Sequence, residues 1–262
     1  MPNDRPADPV LLATVHDGVA LLTLNRPRQY NALSRALLEA LRAQLDAIGS
    51  DPAVRVILVT GAGNAFCAGH DLKEMRGLPH AEAQALFTAC SDVMQRLTTL
   101  PQPVIAVVNG LATAAGCQMV AQCDLAVAAS NAHFAVSGVN LGLFCSTPAV
   151  ALSRNLGRKR AAEMLFTGDF VSAYQAEAWG LVNRVVPPDQ LMEAARALAA
   201  RLTAKPPEAL ALGKALFYRQ LEAPLGAAYA DASRTIAGNL DTGYAREGID
   251  AFIAKRPPDW KR

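Results

Sequence analysis

Apolar positions along the chain alternate between two periods. The segments "VRVILVTG" (54–61) and "PVIAVVNG" (103–110) are short, nearly continuous apolar runs rich in β-branched residues. That is the pattern of strands buried on both faces. "GVALLTLNRP" (18–27) is a third strand-like run, ended by Asn-Arg-Pro, and "DLAVAAS" (124–130) a fourth. Between them the spacing changes to the helical one. In 34–51, Leu37, Leu38, Leu41, Leu45 and Ile48 recur on one face behind Ser34, a good N-cap, and Asp51-Pro52 ends the run. A short helix is expected from about Asp71, a longer one over 79–99, and another carrying Gln118.

This alternation predicts an α/β architecture with mostly parallel strands. Beyond about residue 158 the strand signal nearly vanishes, leaving only "LVNRVV" (181–186). Segments 189–203, 206–221, 224–241 and 243–254 read as helices, so a β-rich core over 1–200 is followed by a helical region over 201–262. No repeat of fixed period and no low-complexity tract is visible.

Composition narrows the function classes. The chain has 262 residues, 52% of them apolar and 18% charged, with a formal net charge of +2. It is long enough for a substantial core, and it lacks the basic patch that nucleic-acid binding needs. The five cysteines, Cys67, Cys90, Cys117, Cys123 and Cys145, are odd in number and show no zinc-ligand spacing, so no metal is expected and free thiols are. The opening "MPNDRPADPV" has neither a signal-peptide core nor an Arg/Ser-rich amphipathic pattern, and no apolar run spans a membrane. A cytoplasmic location is the expectation.

Two strand-to-helix corners carry the candidate chemistry: "TGAGNAFCAGHDL" (60–72) and "NGLATAAGCQM" (109–119). A helix start leaves backbone N–H groups unpaired and favours negative charge, and small side chains let a ligand approach them. Two such corners on adjacent strands can aim two N–H groups at one oxygen, as an oxyanion hole does. Tight turning alone also accounts for such small residues. Phe66 breaks a dinucleotide fingerprint, no Gly-Lys-Ser/Thr follows either loop, and there is no Gly-x-Ser-x-Gly elbow.

"NRPRQYNALS" (25–34), "AFCAGHDLKEM" (65–75), "PVIAVVNGLATAAGCQMVAQCDLAVA" (103–128), "FAVSGVNLGL" (134–143), "EMLFTGD" (163–169) and "AWGLVNRVV" (178–186) fall in an order and spacing that resemble the enoyl-CoA hydratase/isomerase family, the crotonase superfamily. Within it, "AGCQMVAQCDLAVA" with "SGVNLGLFCSTPAVAL" most resembles the enoyl-CoA hydratase domain-containing subgroup. The resemblance implies a crotonase-like spiral of repeated ββα units with a helical C-terminal trimerisation region, and homotrimers or homohexamers. It implies a coenzyme A thioester as substrate or ligand, with no further cofactor. The thioester carbonyl is then expected to meet the N–H groups of Ala68 and Ala115, the latter at a position usually glycine.

The family's hydratases use two glutamates, one holding a proton while the other is ionised. Gln118 stands at the first position and Gly138, in Ser137-Gly138-Val139-Asn140-Leu141-Gly142, at the second. Gln118 shares a helix face with Ala115 and Gln122 and is expected to face the acyl site; an amide can orient water there but cannot act as a base. It reads alternatively as a core amide bonded to backbone. Glutamate-dependent hydration is therefore not expected. His70 is the remaining candidate base beside the predicted hole, and Asp71 a helix cap. Cys145 and Ser146 replace a Pro-Gly pair typical of the family and are expected near the acyl group. The thiol is a nucleophile only if its pKa is lowered, and Ser137 is a weaker candidate. For the coenzyme, the resemblance points to Arg28 and Lys73, and to Phe252 and Lys255 reaching a neighbouring subunit. The leading expectation is an acyl-CoA-acting member of the family with altered chemistry; a non-catalytic acyl-CoA binder and a thioester hydrolase are the alternatives.

Overall fold

The computed structural model describes residues 8–260; most of the polar opening segment read above, residues 1–7, lies outside the described residues. β1 (Leu11–His16) and β2 (Val19–Leu24) form a hairpin pairing Leu11 with Leu24 and His16 with Val19. Its turn is Asp17-Gly18, both with positive φ (49° and 75°), the conformation that suits the twist of a two-residue hairpin. A short 3₁₀ turn (Pro27–Gln29) leads to α1 (Arg35–Gly49), where the Ser34 hydroxyl accepts the Leu37 N–H at 3.2 Å as the sequence predicts.

From there the chain repeats one manoeuvre. β3 (Val56–Gly61) is followed by β4 (Ala65–Cys67) and the helices α2 (Leu72–Met75) and α3 (His80–Thr99). β5 (Val104–Val108) is followed by β6 (Leu111–Thr113) and α4 (Ala115–Gln122). β7 (Leu125–Ala129) is followed by β8 (His133–Ala135), a 3₁₀ segment (Ser137–Leu141), α5 (Ser146–Asn155) and α6 (Arg158–Thr167). Each pass lays one strand into a six-stranded sheet, ordered β1-β2-β3-β5-β7-β10, and one into a four-stranded sheet, ordered β4-β6-β8-β9. The result is the expected spiral of ββα units. β9 (Val171–Ser172), α7 (Ala173–Trp179) and β10 (Arg184–Val186) close the two sheets, and α8 (Leu191–Thr203), α9 (Pro207–Leu221), α10 (Leu225–Leu240) and α11 (Gly243–Ile253) form the helical C-terminal region.

The large sheet is covered on both faces, which explains the continuous apolar runs of its central strands. Ile57, Val59, Val104 and Ala106 face a core shared with Leu41, Leu45 and Met94 from α1 and α3. Val56, Leu58, Ile105 and Val127 face the other way, against Ala195, Leu198 and Ala199 of α8.

The strand expected at 181–186 is corrected, and β1 and β9 are strands that the sequence pattern does not show. β1 is an edge strand with five of its six residues exposed, so burial left no pattern in its sequence. β9 has only two residues. The run at 181–186 shortens to Arg184–Val186, because Gly180 ends α7 with φ 88° and the Leu181 N–H folds back onto the Ala176 carbonyl at 2.8 Å.

Candidate active site

β4 and β6 run side by side, so the two corners that follow them meet. At the first, Gly69 has φ 89°, and a Cβ there would sit 2.8 Å from the Ala114 Cβ and 3.2 Å from the Ala115 nitrogen. At the second, a Cβ on Gly116 would sit 2.0 Å from the Cys67 carbonyl oxygen. Only glycines allow the two turns to approach this closely. Ala114, the residue before α4, is held at φ 49°, ψ −119°, a conformation that costs an alanine on the order of 1–3 kcal/mol. Its N–H bonds the Ala135 carbonyl at 2.9 Å, which anchors the turn to β8.

Two asparagines hold the corners in register. Asn109 Nδ2 donates to the Gly61 and Gly63 carbonyls, both at 2.8 Å. Asn31, fully buried, donates to the Ala62 and Ala65 carbonyls at 2.9 and 2.8 Å and accepts the Arg26 N–H at 2.9 Å. Sequence reasoning assigned neither of them a role. Their signal was polar residues inside "NRPRQYNALS" and at the end of a buried strand.

An account of the backbone N–H groups identifies the free donors. The Ala68 N–H donates to the Tyr30 carbonyl at 3.0 Å, and the Gly69 N–H is taken by the Cys67 thiol. Ala68 is therefore corrected as a donor. Leu33 bonds the Gly69 carbonyl at 2.7 Å and accepts the Asp71 N–H at 3.1 Å, so the intervening His70 N–H points away from Leu33. Among the described residues that N–H meets no acceptor, and neither does the Ala115 N–H in the first turn of α4. His70 and Ala115 border one cleft of about 340 Å³. The pair of free amides is thus His70 and Ala115, with Ala115 as expected.

The cleft also receives Ser137, Gly138, Cys145 and Ser146, which the sequence had placed near the acyl group. The Cys145 sulfur accepts the Gly138 N–H at 3.3 Å. A Cβ on Gly138 would lie 2.7 Å from that sulfur and 2.5 Å from the Leu143 carbonyl oxygen. Sulfur and backbone thus occupy the space where a side chain at 138 would begin. Burial pushes the Cys145 thiol above its usual range, so it stays protonated and is a poor nucleophile. Cys67, Cys90 and Cys117 are pushed up to about 12 for the same reason, and all five cysteines are buried and free.

Gln118 has no backbone partner of the kind the core-amide reading requires. It is buried at 4% exposure one turn after Ala115 on α4, and among the described residues its Oε1, shielded from water, meets no hydrogen-bond partner. His70 does line the cleft. Its ring packs edge-to-face on Phe87, centroids 5.1 Å apart, and both ring nitrogens are shielded from water without a partner among the described residues. Burial pushes its pKa down from 6.5 to about 4, so the imidazole is neutral at pH 7 and a weak base.

That shift sets an acid sensitivity. Between pH 6.5 and about 4 the unfolded chain binds a proton that native His70 does not, so stability falls as pH drops through this window. The loss attributable to His70 is about 3 kcal/mol. Denaturant unfolding at pH 7 and pH 4.5 is expected to show a smaller difference for His70→Leu than for the unaltered chain.

Asp71 caps α2, accepting the Lys73 N–H at 3.0 Å, and pairs with Arg26 at 2.8 Å, which together hold its carboxyl below the usual range. Arg28 and Lys73 are exposed, on the 3₁₀ turn and on α2. Phe252 and Lys255 lie elsewhere: Phe252, 84% exposed, borders a groove among α9, α10 and α11 with Tyr244 and Trp260. The first pair is near the corners and the second is not. Among the described residues no group of three or more His, Cys, Asp or Glu is placed to hold a metal ion, and no helix is long and apolar enough to cross a membrane.

The profile of the enoyl-CoA hydratase/isomerase family matches residues 14–262. A rat protein named enoyl-CoA hydratase domain-containing protein 3, mitochondrial, is 46% identical over 98% of this chain and 87% of its own. The crystal structure of the human protein of that name is 44% identical, covers 96% of this chain and all of its own, and superposes with a TM-score of 0.93. That of an enoyl-CoA hydratase from Mycobacterium smegmatis is 54% identical, covers 97% of this chain and all of its own, and gives 0.95. A 2,3-dehydroadipyl-CoA hydratase from Escherichia coli is 36% identical over 96% of this chain and 98% of its own. The cytoplasmic expectation is corrected by these names, since the rat, mouse and human relatives are all mitochondrial.

Proposed function

The chain belongs to the enoyl-CoA hydratase/isomerase family, and we propose that its cleft binds a coenzyme A thioester and polarises the carbonyl between the N–H groups of His70 and Ala115 without hydrating a double bond. The observation that carries this reading is the pair of amides unspent among the described residues, at one cleft whose wall, among those residues, holds no carboxylate. Two fixed donors stabilise the oxygen charge that develops when a thioester becomes enolate-like, one such donor being worth about 10²–10³ in rate. Adding water also needs groups that move protons, each contributing about 10²–10⁴-fold. Gln118 cannot ionise, Gly138 has no side chain, His70 is a weak base and Cys145 keeps its proton.

Arg28 and Lys73 supply positive charge for the coenzyme's phosphates. Phe252 and Lys255 serve a neighbouring subunit's site in a homotrimer or a pair of trimers. Exposed Phe217, Leu225, Tyr229, Ile236 and Phe252 on α9, α10 and α11 support that assembly.

The test is loss of the conjugated-thioester absorbance of crotonyl-CoA. Turnover is expected to be at least about 10⁴-fold below that of a family member carrying both glutamates. Turnover at a comparable rate would overturn the reading. Gln118→Glu alone is expected to leave the rate low, because the second carboxylate has no room at Gly138 while the Cys145 sulfur fills it.

A further inference from the structure

We propose that the cleft removes carbon dioxide from thioesters carrying a carboxylate on the carbon next to the thioester carbonyl, and that the Cys145 thiol hands its proton to that carbon. This rests on the CoA-thioester reading above and gives the held carbonyl a reaction. The His70 and Ala115 amides suit an enolate. Nothing beside them is fit to make one by pulling a proton from carbon. Among the described residues no Asp, Glu, Lys or Arg lines the cleft, and the His70 imidazole, pushed down to about 4 by burial, is a weak base. An enolate also arises when a carbon–carbon bond breaks. Loss of carbon dioxide needs no base, because the departing carboxylate leaves its bonding electron pair behind.

The wall supplies what this step needs. A carboxylate can meet the Ser137 and Thr147 hydroxyls, which have no partner among the described residues. Uncharged donors orient the group and leave its charge free to move; a lysine or arginine there would hold that charge in the ground state. Leu72, Met75 and Phe87 border the same space and limit its water. The Cys145 sulfur accepts the Gly138 N–H at 3.3 Å and sits where a side chain at 138 would begin. The resemblance puts one of the two proton-moving glutamates of the hydratases at that position. Burial keeps the Cys145 proton on, and the thiol donates to no acceptor among the described residues. A thiol too protonated to be a nucleophile is suited to be an acid. In balance, the bond between the α carbon and the carboxylate breaks, and its electron pair moves into the enolate, whose oxygen the two amides hold. Carbon dioxide leaves, the thiol proton passes to the α carbon, and solvent returns a proton to the sulfur. One proton is consumed for each carbon dioxide released.

The experiment incubates the full chain at pH 7 with methylmalonyl-CoA deuterated on the α carbon. It reads carbon dioxide release and the handedness of the deuterated propionyl-CoA formed, with calorimetric binding of CoA and butyryl-CoA measured alongside. Release is expected at least about 100-fold above the rate in buffer, the least that one well-placed donor supplies. The product is expected to be of one hand, because a fixed thiol delivers the proton to one face. Cys145→Ala is expected to lose that handedness, since water then protonates either face. Cys145→Ser, which keeps a proton at the same place, is expected to retain it. A chain that binds butyryl-CoA yet releases no carbon dioxide above the buffer rate overturns the proposal alone. So does racemic product from the unaltered chain, or one-handed product from Cys145→Ala. If neither CoA nor butyryl-CoA binds, the CoA reading itself falls and this proposal falls with it.

Discussion

Replacing Gly116 by alanine is expected to lower stability by about 3 kcal/mol or more, at the top of the range for overpacked sites. The added methyl would stand 2.0 Å from the Cys67 carbonyl oxygen and 2.7 Å from its carbon, both backbone atoms of a buried strand. No rotamer change can relieve contact with a main chain. Either β4 shifts or α4 moves out, and each response separates the two corners. Thermal unfolding should show the midpoint down by on the order of 10 °C. Any folded fraction should have weakened thioester binding, because the His70 and Ala115 amides no longer converge. A variant with unchanged midpoint and unchanged binding would show that the corners do not need this approach.

Lys214→Met is expected to cost about 3–5 kcal/mol, the usual penalty for removing one partner of a buried ion pair. Lys214, on α9, is 9% exposed and donates to the Leu97 carbonyl at 2.7 Å, the Gln102 carbonyl at 2.9 Å and Asp124 Oδ2 at 2.6 Å. Burial lowers its pKa from 10.5, while the neighbouring Asp124 carboxylate pulls the other way. Asp124 also accepts the Val104 N–H at 2.6 Å and the Tyr218 hydroxyl at 2.7 Å. One lysine therefore ties α9 to α3, to the start of β5 and to the approach to β7. Methionine fills the space but leaves two carbonyls and a carboxylate without their donor. Adding Asp124→Asn should recover part of the loss, with a coupling of about 0.5–3 kcal/mol in the double-mutant cycle. Strict additivity would mean that the two groups do not act on each other.

The contrast between these sites shows what a sequence displays. Gly116 lies in a run of small residues at a strand-to-helix corner, and local pattern singles it out. Lys214 lies in a helix whose apolar spacing reads clearly, yet nothing nearby in the chain announces that its amine is buried. The central strands and long helices were legible because burial on one or both faces imposes a period. β1 and β9 were not, because one is an exposed edge and the other has two residues.

The same distinction runs through the site. Both corners were legible from their small residues, and Ala115 from its place at a helix start. The other donor shifted from Ala68 to His70 because the Tyr30 carbonyl takes one N–H and the bridge to Leu33 orients the next residues. Tyr30 itself has φ 49°, and neither contact is local in sequence. Helical spacing gave the face on which Gln118 lies, one turn after Ala115, but not that its Oε1 is shielded from water. The fit of the Cys145 sulfur against Gly138 depends on a loop closing on itself. The absence of two glutamates could be read directly, but not that the fold has filled the space of the second.

The measurement that tests the account most directly is difference infrared spectroscopy of crotonyl-CoA, isotopically labelled at the thioester carbonyl, bound to the full chain and followed over time. The account predicts a carbonyl band moved to lower frequency by the His70 and Ala115 donors, with the enoyl signature persisting unchanged. A band at its solution frequency would show that the two amides do not grip the carbonyl. A shifted band that gives way within seconds to that of the hydrated thioester would show that the site moves protons without the glutamates.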